Sequence, residues 1–353
     1  MDKIPLWLKS QILRYYICQL KPSDLINLYA HPWLVKILEQ LSAQEWSQIY
    51  QNDRQMLSAG LLHNIMIKND LLIAWGYDCA GQCSHLSNRT YYLSVSAGGI
   101  HSLAITRDGQ IIAWGNDHNG NCTNLPVATK GAHYVSVSAG ENHNLAIRSD
   151  GQIVAWGNDD YGQCTNIPIL PDGTHYLSVS AGEFHSLALR SDGQIVAWGN
   201  GNWGQCTNIP VLPNGTRYIS VNAGESHSLA LRNDGQIFAW GWDYWGQCTN
   251  IPVLPNGTRY LSISSGLYYN LAIRNDGRII AWGKDDEGQC TNIMDLPEGI
   301  RYVSVLAGGH HSLAIRSDGQ IVGWGNDDYG QCSKIPSFGM GCPILTPPHA
   351  FIF

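Results

Sequence analysis

Charged residues are scarce in this sequence, and its basic residues form no block. Charged side chains make up 14% of the 353 residues, and the formal net charge is −7. Without a run of lysine or arginine to neutralise phosphates, binding to nucleic acid or to an anionic membrane surface is not expected. No apolar run reaches the length of a transmembrane helix. Lys9 and Arg14 interrupt the apolar residues near the start, so we expect no secretory signal and a cytoplasmic setting, native or host.

The sequence also lacks the short motifs that accompany common catalytic chemistry. It contains no GxxxxGK[ST] loop to cradle phosphates, no CxxC pair and no Ser/His/Asp set. We therefore expect a binding or regulatory protein that performs no covalent chemistry, with no cofactor and no metal ion.

What the sequence does contain is one unit repeated seven times. The unit is typified by residues 176–210, YLSVSAGEFHSLALRSDGQIVAWGNGNWGQCTNIP, in which AWG is followed by GQC. The spacing between successive marker tryptophans is 39 residues once and 42 residues five times. These tryptophans are Trp75, Trp114, Trp156, Trp198, Trp240, Trp282 and Trp324. A unit of this size cannot bury its own apolar face and must pack against its neighbours.

Seven such units predict an all-β fold, a closed seven-bladed β-propeller of four-stranded blades over residues 54–336. In the typical unit, alternation and turn residues predict strands at 176–180, 185–190, 194–198 and 205–209. Residues 1–53 instead show helical periodicity and predict a small α-helical cap. Residues 337–353 form a tail whose last four residues are a candidate closing strand.

The residues that recur at equivalent positions favour structural roles. The tryptophans and the Asp-Gly hairpins are interpreted as framework. One cysteine recurs in every unit, and equivalent positions in adjacent blades lie too far apart for disulfides, so buried reduced thiols are expected. These cysteines are Cys83, Cys122, Cys164, Cys206, Cys248, Cys290 and Cys332. A histidine also recurs, at His63, His101, His143, His185, His227 and His311, with Tyr269 in the sixth unit. Such a ring cannot converge on one ion, and hydrogen bonds to blade backbone are expected.

The repeated pattern A-G-x-x-H-S-L-A, then D-G, W-G and G-Q, resembles the RCC1 (regulator of chromosome condensation) repeat. It begins at Ala97-Gly98 and continues through Asp108-Gly109 to Trp114-Gly115. The resemblance implies a seven-bladed propeller of the compact form found in bacterial effectors. RCC1 is a guanine-nucleotide exchange factor for the small GTPase Ran, so the resemblance implies a Ran-type partner. Units two to seven carry no insertion like the wedge that RCC1 uses against Ran, and the basic tail of RCC1 is missing.

The first 53 residues carry a second resemblance. Ile4-Pro5, the segment 20–25 (LKPSDL) and Trp46 are similar to an F-box, which docks on the Skp1 adaptor of ubiquitin ligases. This resemblance implies an alternative function, that of a ubiquitin-ligase substrate adaptor. A further alternative is a propeller that inhibits another enzyme, as one bacterial relative inhibits β-lactamases.

Variation among the units points to one loop face, which we expect to bind a protein. The loops after the first and the third strand of each blade should lie on the same side, and they are rich in acidic and aromatic residues. Aromatic residues anchor interfaces and carboxylates steer basic partners. The candidate partner-binding residues are Asp159, Asp160, Tyr161, Glu183, Trp203, Glu225, Trp242, Asp243, Tyr244, Trp245, Tyr268, Asp285 and Asp286. In an exchange mechanism, Asp243 or Asp286 would compete for the phosphate-binding lysine and the magnesium ion of the GTPase. The protein itself is expected to be a monomer.

Overall fold

The computed structural model describes residues 55–68, 71–85, 92–128 and 131–336. These residues all lie within one compact unit, Arg54–Phe353. Across the described ranges the chain forms 21 β-strands and no helix, which confirms the all-β class. No segment of these ranges is therefore a helix with the length and apolarity of a membrane span. The helical cap, the F-box-like segment with its Skp1 partner, and the closing strand at 350–353 all fall outside the described residues.

The strands form seven antiparallel sheets of three consecutive strands each, and each sheet is one blade. Blades 1 to 3 consist of β1 (Gln55–Ala59), β2 (His63–Lys68), β3 (Leu71–Gly76), β4 (Tyr92–Ala97), β5 (His101–Thr106), β6 (Ile111–Gly115), β7 (Tyr134–Ala139), β8 (His143–Arg148) and β9 (Ile153–Gly157). Blades 4 and 5 consist of β10 (Tyr176–Ala181), β11 (His185–Arg190), β12 (Ile195–Gly199), β13 (Tyr218–Ala223), β14 (His227–Arg232) and β15 (Ile237–Gly241). Blades 6 and 7 consist of β16 (Tyr260–Ser265), β17 (Tyr269–Arg274), β18 (Ile279–Gly283), β19 (Tyr302–Ala307), β20 (His311–Arg316) and β21 (Ile321–Gly325).

The fourth strand predicted for each blade is not formed in the described residues. In blade 4 the predicted segment 205–209 follows Gly204, which has a φ of 82°. The N–H groups of Thr207 and Asn208 both donate to the carbonyl of Gly204, at 3.1 and 2.9 Å. Because this turn uses the N–H groups locally, they are not available to pair with β12, and the segment turns instead of extending.

The hydrophobic core lies between the blades. Leu187 and Leu189 of β11, for example, pack against Tyr218, Val221 and Trp240 of the next blade. Seven such clusters follow one another around the ring, and the last joins blade 7 to blade 1. A blade on its own would leave these side chains in water, which is the physical reason that the repeat must close on itself.

The marker tryptophans tie each blade to the preceding one. The indole N–H of Trp198 donates to the carbonyl of Gln163 at 2.8 Å, and the other six tryptophans make the same bond around the ring. The recurrent histidines tie each blade to the following one, as His185 Nε2 does with Ser228 Oγ at 3.1 Å. Their partners are therefore side chains of the next blade, where the sequence had suggested backbone groups.

Loops and side chains close the ring between blades 7 and 1. Asn64 Oδ1 lies 2.8 Å from His311 Nε2, and its Nδ2 donates to the carbonyl of Gln331 at 3.0 Å. Trp75 Nε1 donates to the same carbonyl at 2.9 Å. Blade 1 consists of β1, β2 and β3 in sequence order, so in the described residues no strand is exchanged between the ends of the chain.

Candidate protein-binding face

The loops between the first and second strands of the seven blades meet around a small axial cavity. Their backbones touch: Glu141 N donates to the carbonyl of Gly182 at 3.2 Å, and Gly309 N donates to that of Gly60 at 3.1 Å. The cavity between them has a volume of about 100 Å³. Only glycine permits this approach, because a Cβ at Gly182 would lie 2.5 Å from the carbonyl oxygen of Gly224.

Three carboxylates from blades 3 to 5 line one side of the axial cavity. Glu141, Glu183 and Glu225 follow the axial glycines of these blades, and the other blades carry leucine or glycine at this position. Partial burial and the charges of Glu141 and Glu225 raise the pKa of Glu183 to about 8. Burial also raises the pKa of Glu141. Glu141 and Glu225 therefore oppose the ionisation of Glu183, and a neighbouring positive charge would relieve that opposition.

Five aromatic side chains beside the carboxylates are in mutual contact. The ring centroids of Trp242 and Tyr244 are 5.9 Å apart, and the angle between the two ring planes is 10°. Trp242 also meets Tyr268 edge-on at 5.2 Å and Trp203 at 6.5 Å, and Tyr244 meets Trp245 edge-on at 5.0 Å. We call these five residues the aromatic cluster. They come from blades 4, 5 and 6, so the fold brings together every aromatic candidate of the sequence analysis except Tyr161.

The loop after the first strand and the turn after the third strand of a blade lie on the same face, because backbone hydrogen bonds join them. Trp242 N donates to the carbonyl of Ser226 at 2.9 Å, and Lys284 N donates to that of Tyr268 at 3.0 Å. Each bond links the turn after the third strand to the loop after the first strand of the same blade. The predicted placement of both loop sets on one side is therefore correct.

Lys284, which the sequence analysis did not select, connects the aromatic cluster to the acidic residues. Its ammonium nitrogen lies 5.5 Å from the ring centroids of both Trp245 and Tyr268, and 2.8 Å from Asp286 Oδ2. Burial and the neighbouring Glu225 raise the pKa of Tyr268, and the backbone N–H of Glu225 donates to the carbonyl of Leu267 at 3.3 Å. One feature of the sequence could have identified Lys284 as a site residue: the other units carry asparagine, tyrosine or tryptophan at this position.

Tyr161 belongs to a separate pair on the blade 3 side of the same face. Its ring meets that of Phe184 edge-on at 5.3 Å, and Tyr161 remains 45% exposed. Phe184 was not predicted as a site residue. The neighbouring Asp160 accepts a hydrogen bond from Asn158 Nδ2 at 2.7 Å.

Three of the candidate aspartates hold the turns that carry the aromatic residues. Asp243 Oδ1 accepts the backbone N–H groups of Cys248 and Thr249, at 2.6 and 3.2 Å. Asp159 and Asp285 make the same pair of bonds in blades 3 and 6. The same pair of hydrogen bonds is present in blades that lack exposed aromatic residues at this turn, such as blade 2, where Asp117 accepts both. The recurrence of this aspartate is therefore explained by the turn, whereas Asp286 is paired only with other side chains in the hydrogen bonds described.

Blade 4 has glycine where the other six blades have this aspartate, and this difference leads to a stability prediction. A Cβ at Gly201 would meet only Cys206 Cβ, at 3.7 Å, so an aspartate fits. Gly201→Asp should raise the free energy of unfolding by about 1 to 2 kcal/mol, because it adds the missing cap and restricts the unfolded chain. The measurement is urea denaturation, with Gly201→Ala as the control for the restriction alone. An aspartate variant no more stable than the alanine variant would contradict the prediction.

The recurrent cysteines and histidines are accounted for by the framework. The eight cysteines of the described ranges are free thiols. Cys164 Sγ, which is half-buried, donates to the carbonyl of Asn158 at 3.2 Å, and burial raises the pKa of this thiol to about 12. Burial lowers the pKa of His185 to about 3, so the imidazole is neutral in its inter-blade bond. Among the described residues, no group of histidine, cysteine and carboxylate side chains is arranged to hold a metal ion.

Comparison with known proteins decides the family. A family model described as the RCC1-like domain matches residues 87–349, which is most of the chain. The chain belongs to the RCC1-like domain family. The resemblance read from the repeats is thereby confirmed. Propellers of this family are in general scaffolds for binding and regulation.

Solved structures with the same fold come from distant relatives of this RCC1-like protein. The ectodomain of the receptor kinase CR4 from Physcomitrella patens is 20% identical, with a TM-score of 0.62, over 78% of this chain and 74% of that one. Prp20p from Saccharomyces cerevisiae, studied together with its binding to Gsp1p and histones, is 20% identical, with a TM-score of 0.60, over 82% and 85%. Human WBSCR16 is 19% identical, with a TM-score of 0.61, over 74% and 86%. At this identity the likeness shows the fold alone. No curated protein matches the sequence.

Proposed function

We propose that this propeller binds a protein partner through the aromatic cluster, and that the partner is a small GTPase of the Ran type whose nucleotide it exchanges. The observation that carries the proposal is the cluster itself, five touching aromatic side chains from three consecutive blades. Trp203 and Tyr244 remain 57% and 74% exposed. Large aromatic surface held open to water on a rigid scaffold is the type of surface that anchors protein interfaces.

The GTPase is proposed because of the family and the chemistry available. RCC1, whose repeat this chain shares, exchanges nucleotide on Ran, and Prp20p has been studied for its binding to Gsp1p. Exchange needs no covalent step, because a partner that binds the nucleotide-free GTPase more tightly than the loaded form will release the nucleotide. Between the two aspartates considered for this role, we favour Asp286. Its side chain is 52% exposed, whereas that of Asp243 is held by two backbone N–H groups.

The proposal predicts that Trp242→Ala weakens GTPase binding by at least tenfold, because Trp242 is the residue through which Trp203, Tyr244 and Tyr268 touch. The measurement uses the full chain and purified Ran carrying a fluorescent GDP analogue. Binding is read by titration, and exchange by the loss of fluorescence after unlabelled GTP is added. Val211→Ala is the control, because Val211 is 94% exposed on a connection between blades and lies outside the cluster.

Three outcomes separate the parts of this proposal. If folded wild-type protein neither binds Ran nor speeds nucleotide release, the GTPase assignment is wrong. If it binds Ran and Trp242→Ala binds equally well, the aromatic cluster is not the interface. If it binds without speeding release, the protein is a GTPase-binding scaffold and the exchange activity is wrong.

A further inference from the structure

The place that Lys284 occupies shows which kind of chemical group the aromatic cluster accepts. The lysine ammonium lies 5.5 Å from the centroid of Trp245 and 5.5 Å from that of Tyr268, so two rings flank one cation. An aromatic face carries negative electrostatic potential and attracts a cation at this distance. A side chain of the protein itself therefore demonstrates that this part of the cluster holds a positive charge.

Two acidic residues, Glu225 and Asp286, lie near this place, and Lys284 is paired with only one of them. Glu225 lies beside Tyr268, because its backbone N–H donates to the carbonyl of the preceding residue, Leu267, at 3.3 Å. Burial and this neighbouring carboxyl group raise the pKa of Tyr268. Lys284 is itself paired with Asp286, at 2.8 Å. The aromatic rings and Glu225, an acidic residue with which Lys284 is not paired, thus lie together on a face of a protein with a net charge of −7. The complementary partner surface is apolar with a positive charge.

We propose that the aromatic cluster receives an arginine side chain of the partner, between the Tyr268 ring and Glu225, next to the place that Lys284 now fills. This inference rests on the proposed function only in that the face binds a protein, and it holds for any partner. Arginine fits better than lysine, because its planar guanidinium stacks on an aromatic ring while its N–H groups bind a carboxylate in the same plane. Its weaker hydration also lowers the cost of leaving water.

Lys284 then acts as a competitor in the free protein. Its ammonium uses the Tyr268 ring that the arginine would need, and it repels a second cation at close range. Removing the lysine charge should therefore strengthen the binding of an arginine and weaken the binding of an acidic group. This difference in sign distinguishes an arginine-bearing partner from an acidic one.

The test uses two blocked peptides with the full-length chain, Gly-Gly-Arg-Gly-Gly and the same peptide with citrulline, which keeps the shape and removes the charge. Binding is followed near physiological ionic strength by NMR, through the indole N–H signals of Trp242 and Trp245, assigned with Trp→Phe variants. We expect the arginine peptide to bind at least tenfold more tightly than the citrulline peptide. Lys284→Met should strengthen arginine binding about threefold, and Glu225→Gln should weaken it by a similar factor.

Glu298→Gln is the matched control, because Glu298 is exposed in a turn between blades and its loss changes the net charge equally. It should leave arginine binding unchanged. The inference would be overturned if the two peptides bind equally well, or if neither binds at several millimolar. It would also be overturned if Lys284→Met binds the arginine peptide more weakly, or if Glu298→Gln and Glu225→Gln have equal effects. No GTPase is present in this assay. Failure with Ran and success with the peptide therefore rejects only the GTPase, and the reverse result rejects only the arginine.

Discussion

Asn64→Ala is expected to lower the free energy of unfolding by about 2 to 4 kcal/mol. Asn64 is fully buried at the closure between blades 7 and 1. Its amide oxygen bonds to His311 Nε2, and its amide nitrogen donates to the carbonyl of Gln331. Alanine leaves the fully buried imidazole of His311 without its partner. This happens at the junction where blades 7 and 1 meet to complete the ring. The measurement is equilibrium denaturation in urea, checked by thermal unfolding.

The chain supplies its own control for this prediction. At the equivalent position of blade 4, Ser186 lies 2.9 Å from the histidine of the preceding blade and donates to the carbonyl of Gln163 at 3.1 Å. Asn64→Ser should therefore retain both bonds and cost less than about 1.5 kcal/mol. Equal losses in the serine and alanine variants would show that these hydrogen bonds do not secure the closure.

Gly182→Ala is expected to cost at least about 3 kcal/mol, or to prevent accumulation of the folded protein. Its Cβ would lie 2.5 Å from the carbonyl oxygen of Gly224 and 2.8 Å from the ring of His185. The first obstacle is backbone, which cannot rotate away as a side chain can, so two blades would have to separate at the axis. The second is the imidazole that bonds to Ser228 of the next blade.

Gly201→Ala is the matched control, because it makes the same chemical change where the nearest atom is 3.7 Å away. Its free energy of unfolding should change by less than about 1 kcal/mol. A Gly182→Ala protein as stable as this control would show that the axial loops separate without cost. The close approach of the glycines would then not limit the packing of the ring.

The sequence predicted which loops lie together on one face, but it did not predict which carboxylates on that face hold the turns. Trp203, Trp242 and Tyr268 were selected because they vary while the framework repeats, and they touch in the fold. Asp243 was selected by the same reasoning, but its carboxylate is bound to backbone N–H groups five and six residues later. Composition cannot distinguish a carboxylate that holds a turn from one that faces a partner, because both are acidic residues in a polar loop.

By itself the sequence determined the class of fold, the number of blades and the family, because these follow from a period that recurs along one chain. The hairpins were equally predictable, since Asp-Gly turns and alternating strands are local features. The missing fourth strand, the closure at Asn64 and the place of Lys284 between two rings were decided by the tertiary structure. Each depends on contacts between residues that are distant in sequence, or on where backbone N–H groups find acceptors. A periodic pattern specifies what each repeat contains, but the distances between repeats are fixed only when the ring is closed.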